Sequence, residues 1–163
     1  MNRTTRTLLM ILIATTFVFS LAPAAHAHSC STATGAGTWG FTVTGTIVLP
    51  TGAAVPVVQV GSYTQDRAGN IVGFQTRSLG GSVAEETFTA TVSTNPDCTG
   101  KSTLSVYDKA SGALARTSTL DVVFVDDGRE ARSIVTSIVL PNGASLGPVL
   151  TVEHTRVSTA GSR

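Results

Sequence analysis

"TWGFTVTGTI" (38–47) is the stretch that decides the fold. Trp39, Phe41, Val43 and Ile47 fall on one face, with Thr38, Thr42, Thr44 and Thr46 on the other. Alternation of this kind is the pattern of a strand with one dry side and one wet side. The same character recurs downstream, interrupted by turn chemistry at regular intervals. "PTGAA" (50–54) turns the chain into a strand over 55–66, and "RAGN" (67–70) turns it into the next over 71–79. "GG" (80–81) leads to 83–94, where Phe88, Ala90 and Val92 share a face. After "NPDCTG" (95–100) comes 101–108, with Leu104 and Val106 aligned, then "KASG" (109–112) and 114–125. "DDGRE" (126–130) contains an Asp-Gly pair that tolerates positive φ. Strands over 131–140 and 149–157, joined by "PNGAS" (141–145), complete eight. No segment shows a 3.6-residue apolar period.

Short loops between successive strands imply antiparallel neighbours, because parallel pairing needs a long crossover. An eight-strand meander protects its edges by closing, whereas immunoglobulin-type sandwiches use Greek-key crossings. The expectation is therefore all-β, an eight-stranded antiparallel up-and-down barrel without substantial helix, forming one domain over residues 28–163. An interior of that size is filled by side chains or holds one small ligand.

Residues 1–27 read as a secretory signal rather than as part of the fold. Arg3 and Arg6 are the positive start, Leu8 to Leu21 the apolar stretch, and Ala25-His26-Ala27 a small-x-small cleavage site. The apolar stretch falls short of the roughly 20 residues a membrane helix needs, and no second one follows. Cys30 lies close to the cut, but a lipid-attachment site would carry a Leu-type residue where Ala27 stands. Export to a secreted or periplasmic location without a stable membrane anchor is expected.

With Arg3 and Arg6 in the leader, nine Lys/Arg face ten Asp/Glu in the rest. A chain so nearly neutral lacks the clustered basic charge of a nucleic-acid or anionic-membrane partner. The two cysteines, Cys30 and Cys98, enter an oxidising compartment and are expected to pair. Such a bridge closes a long loop and removes roughly 4 kcal/mol of unfolded-state entropy on the chain-entropy model. A C-x-x-C redox pair is absent. A metal site would need more ligands than these cysteines with His28 or His154 supply. Neither metal nor cofactor is expected.

No nucleophile motif stands out: "GGSVAEE" (80–86) lacks the Gly-x-Ser-x-Gly elbow. His154, alone among the predicted strands, reads as structural or solvated. Glu85 and Glu86 point to opposite faces, so they do not form an acid–base pair. Whichever points inward is a candidate proton-transfer group, its pKa raised by desolvation. In the charged stretch "VFVDDGREAR" (123–132), Asp126 and Glu130 are candidates for the rim of a barrel mouth, against the plainer reading of a solvated turn offset by Arg129 and Arg132.

Four pieces, "GTWGFTVTGT" (37–46), "VGSYTQDRAGNIVG" (60–73), "TFTATVSTNPDCTG" (87–100) and "VFVDDGRE" (123–130), resemble small exported microbial barrels of the calycin and allene oxide cyclase-like kind. Gly37-Thr38-Trp39 is similar to the Gly-x-Trp that opens the lipocalin barrel. That resemblance implies a cation–π contact of Trp39 with Arg156, worth about 0.5–2 kcal/mol. Lipocalins follow the barrel with a helix, and here seven residues follow Arg156.

Two functions are expected to compete. One is a non-catalytic barrel that binds a small apolar ligand or a surface partner, with Trp39, Phe41, Val43, Tyr63, Phe88 and Phe124 facing inward. The other, implied by the allene oxide cyclase-like resemblance, is an isomerase or cyclase using Glu85, Glu86 or Glu130. A structural or adhesion module with a filled barrel is a third. The oligomeric state is not legible.

Overall fold

The computed structural model describes residues 29–157; the predicted leader and His28 lie outside them. Its strands are β1 (Gly37–Val48), β2 (Ala54–Gln65), β3 (Asn70–Leu79), β4 (Ser82–Thr94), β5 (Thr99–Asp108), β6 (Leu114–Val125), β7 (Glu130–Val139) and β8 (Ser145–Arg156). Each pairs antiparallel with the next, and β8 returns to β1 in a register running from Trp39↔Arg156 to Val48↔Gly147. The ring is closed, as the meander requires.

Strand ends fall within two residues of the period-two reading except at β8, which starts at Ser145 rather than at 149. Gly147 and Pro148 look like breakers in the sequence. In the barrel they lie where the β7–β8 ladder is interrupted between Ile134 and Ile138. Proline lacks a donor, so an irregular part of a ladder is where a strand tolerates it.

Alternation sorts the side chains by face. Trp39, Phe41, Val43 and Ile47 are buried, while Thr38, Thr42 and Thr44 are exposed. Two inward glycines shape the interior. A Cβ at Gly61 would stand 2.8 Å from the Phe41 ring, and one at Gly73 would stand 2.5 Å from that of Phe88. Each glycine is the register partner of that phenylalanine, so the rings lie against bare backbone.

One end of the barrel is stoppered. The Cys30–Cys98 disulfide, spanning 68 residues, fixes the chain before β1 to the β4–β5 turn. A 3-10 turn, Thr32–Gly35, then crosses the end that carries the β2–β3, β4–β5 and β6–β7 turns. The Gln65 amide donates to the Thr32 carbonyl at 3.0 Å, and the Thr94 amide donates to Thr32 Oγ1 at 3.2 Å. Trp39, with no exposed surface, donates from Nε1 to the Gly35 carbonyl at 2.8 Å. The Arg156 guanidinium sits 4.8 Å from the indole centroid. It donates to the carbonyls of Ala36 and Thr34 at 2.7 Å and of Gly128 at 3.2 Å. The charge is thus held by carbonyl dipoles and a π face rather than by a carboxylate.

Candidate functional site

Above the stopper the barrel is hollow. A cavity of about 230 Å³ runs from Tyr63 and His154 near the floor to half-buried Leu79, Leu140 and Leu146 at the opposite rim. A dry cavity of ~150 Å³ accommodates benzene. On that scale, the volume here suits an occupant of roughly nine non-hydrogen atoms. Most of the wall is apolar, supplied by the inward positions of all eight strands.

Near the rim the wall carries an ionic cluster. Glu86 on β4 is 2% exposed, and its two oxygens accept four hydrogen bonds. Gln75 donates from Nε2 at 2.6 Å and Arg77 from Nε at 2.9 Å. Arg116 donates from both terminal nitrogens at 2.8 Å, a bidentate fork. Burial alone would push this carboxyl up; the hydrogen bonds and charge of Arg116, with Gln75 and Arg77, outweigh it and hold the group at about 2. The inward carboxylate is therefore clamped in its ionised form, opposite in direction to the raised pKa expected of a proton-transfer group.

Near the floor stands a neutral chain of polar groups. Tyr63 Oη lies 3.2 Å from His154 Nδ1, and Ser133 Oγ lies 3.0 Å from Nε2. Burial, reinforced by the charge of Arg132, presses His154 down to about 4, so the ring is neutral at pH 7. Burial raises the Tyr63 phenol above its ordinary value, and Arg156 offsets this only in part. A neutral imidazole donates from one nitrogen and accepts at the other. In either sense the chain leaves one hydroxyl proton free to bond an oxygen in the cavity.

Because the folded pKa of His154 lies below its usual 6.5, the fold binds fewer protons than the unfolded chain between those values. Stability is fully present above about 6.5 and is lost as pH falls towards about 4. Denaturation midpoints measured across that window are expected to fall with pH, and His154→Gln is expected to flatten the slope. An unchanged slope in the variant would remove the assignment.

Of the inward candidates, Phe41, Val43, Tyr63, Phe88 and Phe124 line the cavity. Trp39 does not; it packs into the stopper, its ring 6.2 Å from Tyr63 and 6.1 Å from Phe124. Glu85 is on the outer face, paired with Lys109 at 2.9 Å. Asp126 and Glu130 lie at the stoppered end, paired with Arg129 and Arg132, and do not flank the mouth. The reason is topological: the β6–β7 turn shares an end with the start of β1, where the leading segment is tied down. Gln59, Gln75, Arg77 and Arg116 at the rim and Ser133 at the floor are wall groups not singled out from the sequence, while His154, read there as structural or solvated, lies half-buried at the floor.

No protein-family profile matches this chain, and no curated protein does.

Proposed function

We propose that this is an exported, non-catalytic binding barrel whose cavity holds one small, mostly apolar molecule. The observation that carries this reading is the hollow of about 230 Å³ with a largely apolar wall, sealed at one end and reaching the rim at the other. A preformed apolar cleft with a few placed polar groups is the usual form of a small-molecule site. The leader-like residues 1–27 and the Cys30–Cys98 bridge support export. The closed barrel, Gly37-x-Trp39 and the Arg156 contact support a place beside the calycin and allene oxide cyclase-like barrels.

The clamped state of Glu86 and the outward positions of Glu85 and Glu130 favour binding over isomerase or cyclase chemistry. The Ser133–His154–Tyr63 chain polarises an oxygen more readily than it removes a proton, since an imidazole held at about 4 is a weak base. A filled structural barrel is disfavoured by the hollow itself.

Native mass spectrometry of the protein purified from its producing cells tests the reading. The expected result is an added mass matching an organic molecule of about the size set by the cavity, lost on collisional activation. Repeated recovery of empty protein, with no uptake of small apolar probes, would count against it.

A further inference from the structure

The mouth of the cavity presents guanidinium groups and no carboxylate to its interior. Arg77 and Arg116 both line the cavity wall, whereas the one carboxylate between them, Glu86, lies behind it with its oxygens saturated. Arg116 commits both terminal nitrogens to Glu86, but Arg77 commits only Nε. The two terminal nitrogens of Arg77 have no partner among the described residues. The cluster therefore carries one excess positive charge and an unused guanidinium edge. Of the neighbouring acids, Glu85 is paired with Lys109, and Asp108 keeps its charge beside Glu86, held by the amide and hydroxyl of Ser111, but neither lines the cavity.

Beside this edge lies a second, independent feature. Gln59 is the register partner of Arg77, lines the same wall and is 7% exposed. Its amide has no hydrogen-bond partner among the described residues. Ser118, 5% exposed and two residues along β6 from Arg116, also lines the wall with its hydroxyl unpartnered among the described residues. Thr94 Oγ1 is the one wholly buried side-chain polar atom without a partner among the described residues, so the polar atoms of Gln59 and Ser118 are open to whatever fills the cavity, water or ligand. Here the unused groups offer donors: a guanidinium edge, an amide NH₂ and a hydroxyl. A cation has no acceptor here to match its charge, and a pure hydrocarbon leaves every donor unmet.

We propose that the occupant is an amphipathic carboxylate, its apolar body inside the barrel and its head at the mouth against Arg77 and Gln59. A carboxylate brings the negative charge that no acid on the cavity wall presents, and its two oxygens fit the paired donors of a guanidinium edge. The apolar wall below takes the chain, and the Tyr63–His154–Ser133 group marks the depth it reaches. This inference rests on the binding reading above and adds the class of ligand.

Calorimetric titration of the intact protein with octanoate and with octan-1-ol, at low salt and pH 7, tests it. Octanoate is expected to bind at least about tenfold tighter than the alcohol, the order of one charge-assisted pairing. Arg77→Gln leaves Glu86 in the Arg116 fork, so the barrel keeps its fold, and is expected to abolish the preference by weakening octanoate binding to the level of the alcohol. Gln59→Leu is expected to reduce it in part. Equal binding of the two probes, or a preference that survives in Arg77→Gln, overturns this inference and leaves the binding reading intact. Binding of neither overturns both.

Discussion

Replacing Arg116 with methionine is expected to lower the free energy of unfolding at pH 7 by about 3 kcal/mol, because Glu86 stays buried with Arg77 as its one remaining cationic partner. Glu86, 2% exposed, would lose two of its four hydrogen bonds and its bidentate partner, keeping only Gln75 Nε2 and Arg77 Nε. The pH dependence should weaken with it. In the native protein the carboxyl is held at about 2 against its usual 4.5, so its contribution is present above about 4.5 and lost as pH falls towards 2. Without Arg116, burial is opposed only by Gln75 and Arg77, and the pKa rises towards the unfolded value. The variant then gains less stability between acid and neutral pH than the native protein does. Chemical denaturation of both proteins between acid and neutral pH should show the difference shrinking on acidification. Leucines at 77, 86 and 116 remove all three charges together and are expected to recover most of the loss, because replacing a buried ionic triad with apolar groups is often neutral. A loss below about 1 kcal/mol in Arg116→Met would show that water already solvates the cluster, as at surface pairs.

The barrel was legible because β1 and β4 put their large apolar residues on one face only. Trp39, Phe41 and Val43 fix the phase of β1, and Phe88 and Val92 fix that of β4. Phe88 already places Glu86 inward and Glu85 outward by period two. Phe124 does the same for Arg116 and Ser118 on β6. The rest of the rim was hidden by β2 and β3, which carry large apolar residues on both faces. Val58, Val60, Val72 and Phe74 are all more than half exposed. They imitate an inward face and mask the true inward series of Gln59, Tyr63, Gln75 and Arg77. Alternation cannot break that tie, since it reports a period and not a phase. Tyr63, placed inward, contained the missing information, because Gln59 lies four residues before it on the same face. The misplaced rim had another cause. Asp126 and Glu130 sit on a turn, and charge alone does not tell the open end of a barrel from the closed one. That distinction depends on which turns share an end with the start of β1.

Removing the bridge with Cys30→Ser/Cys98→Ser is expected to lower stability by roughly 4 kcal/mol, the loop-closure entropy of a span near 70 residues. The competing expectation is a much smaller effect, because the stopper has other ties. The Cys30 amide donates to the Pro96 carbonyl at 3.2 Å, Gln65 and Thr94 both bond Thr32, and Arg156 bonds Thr34 and Ala36. Each such bond contributes about 1 kcal/mol net, and several are partly wet. Those bonds act on the folded state and survive the substitution, whereas the cross-link restricts the unfolded chain, an effect no remaining contact replaces. Trp39 is the only tryptophan and packs against the stopper, so its emission reports that end alone. In denaturant, the variant's fluorescence is expected to shift red before the far-ultraviolet circular dichroism of the strands is lost, as a weakly held unit opens first. In the native protein the two signals should change together. Coincident transitions in the variant with little lost stability would mean that the hydrogen bonds and the Trp39–Arg156 contact hold the floor without the sulfur link.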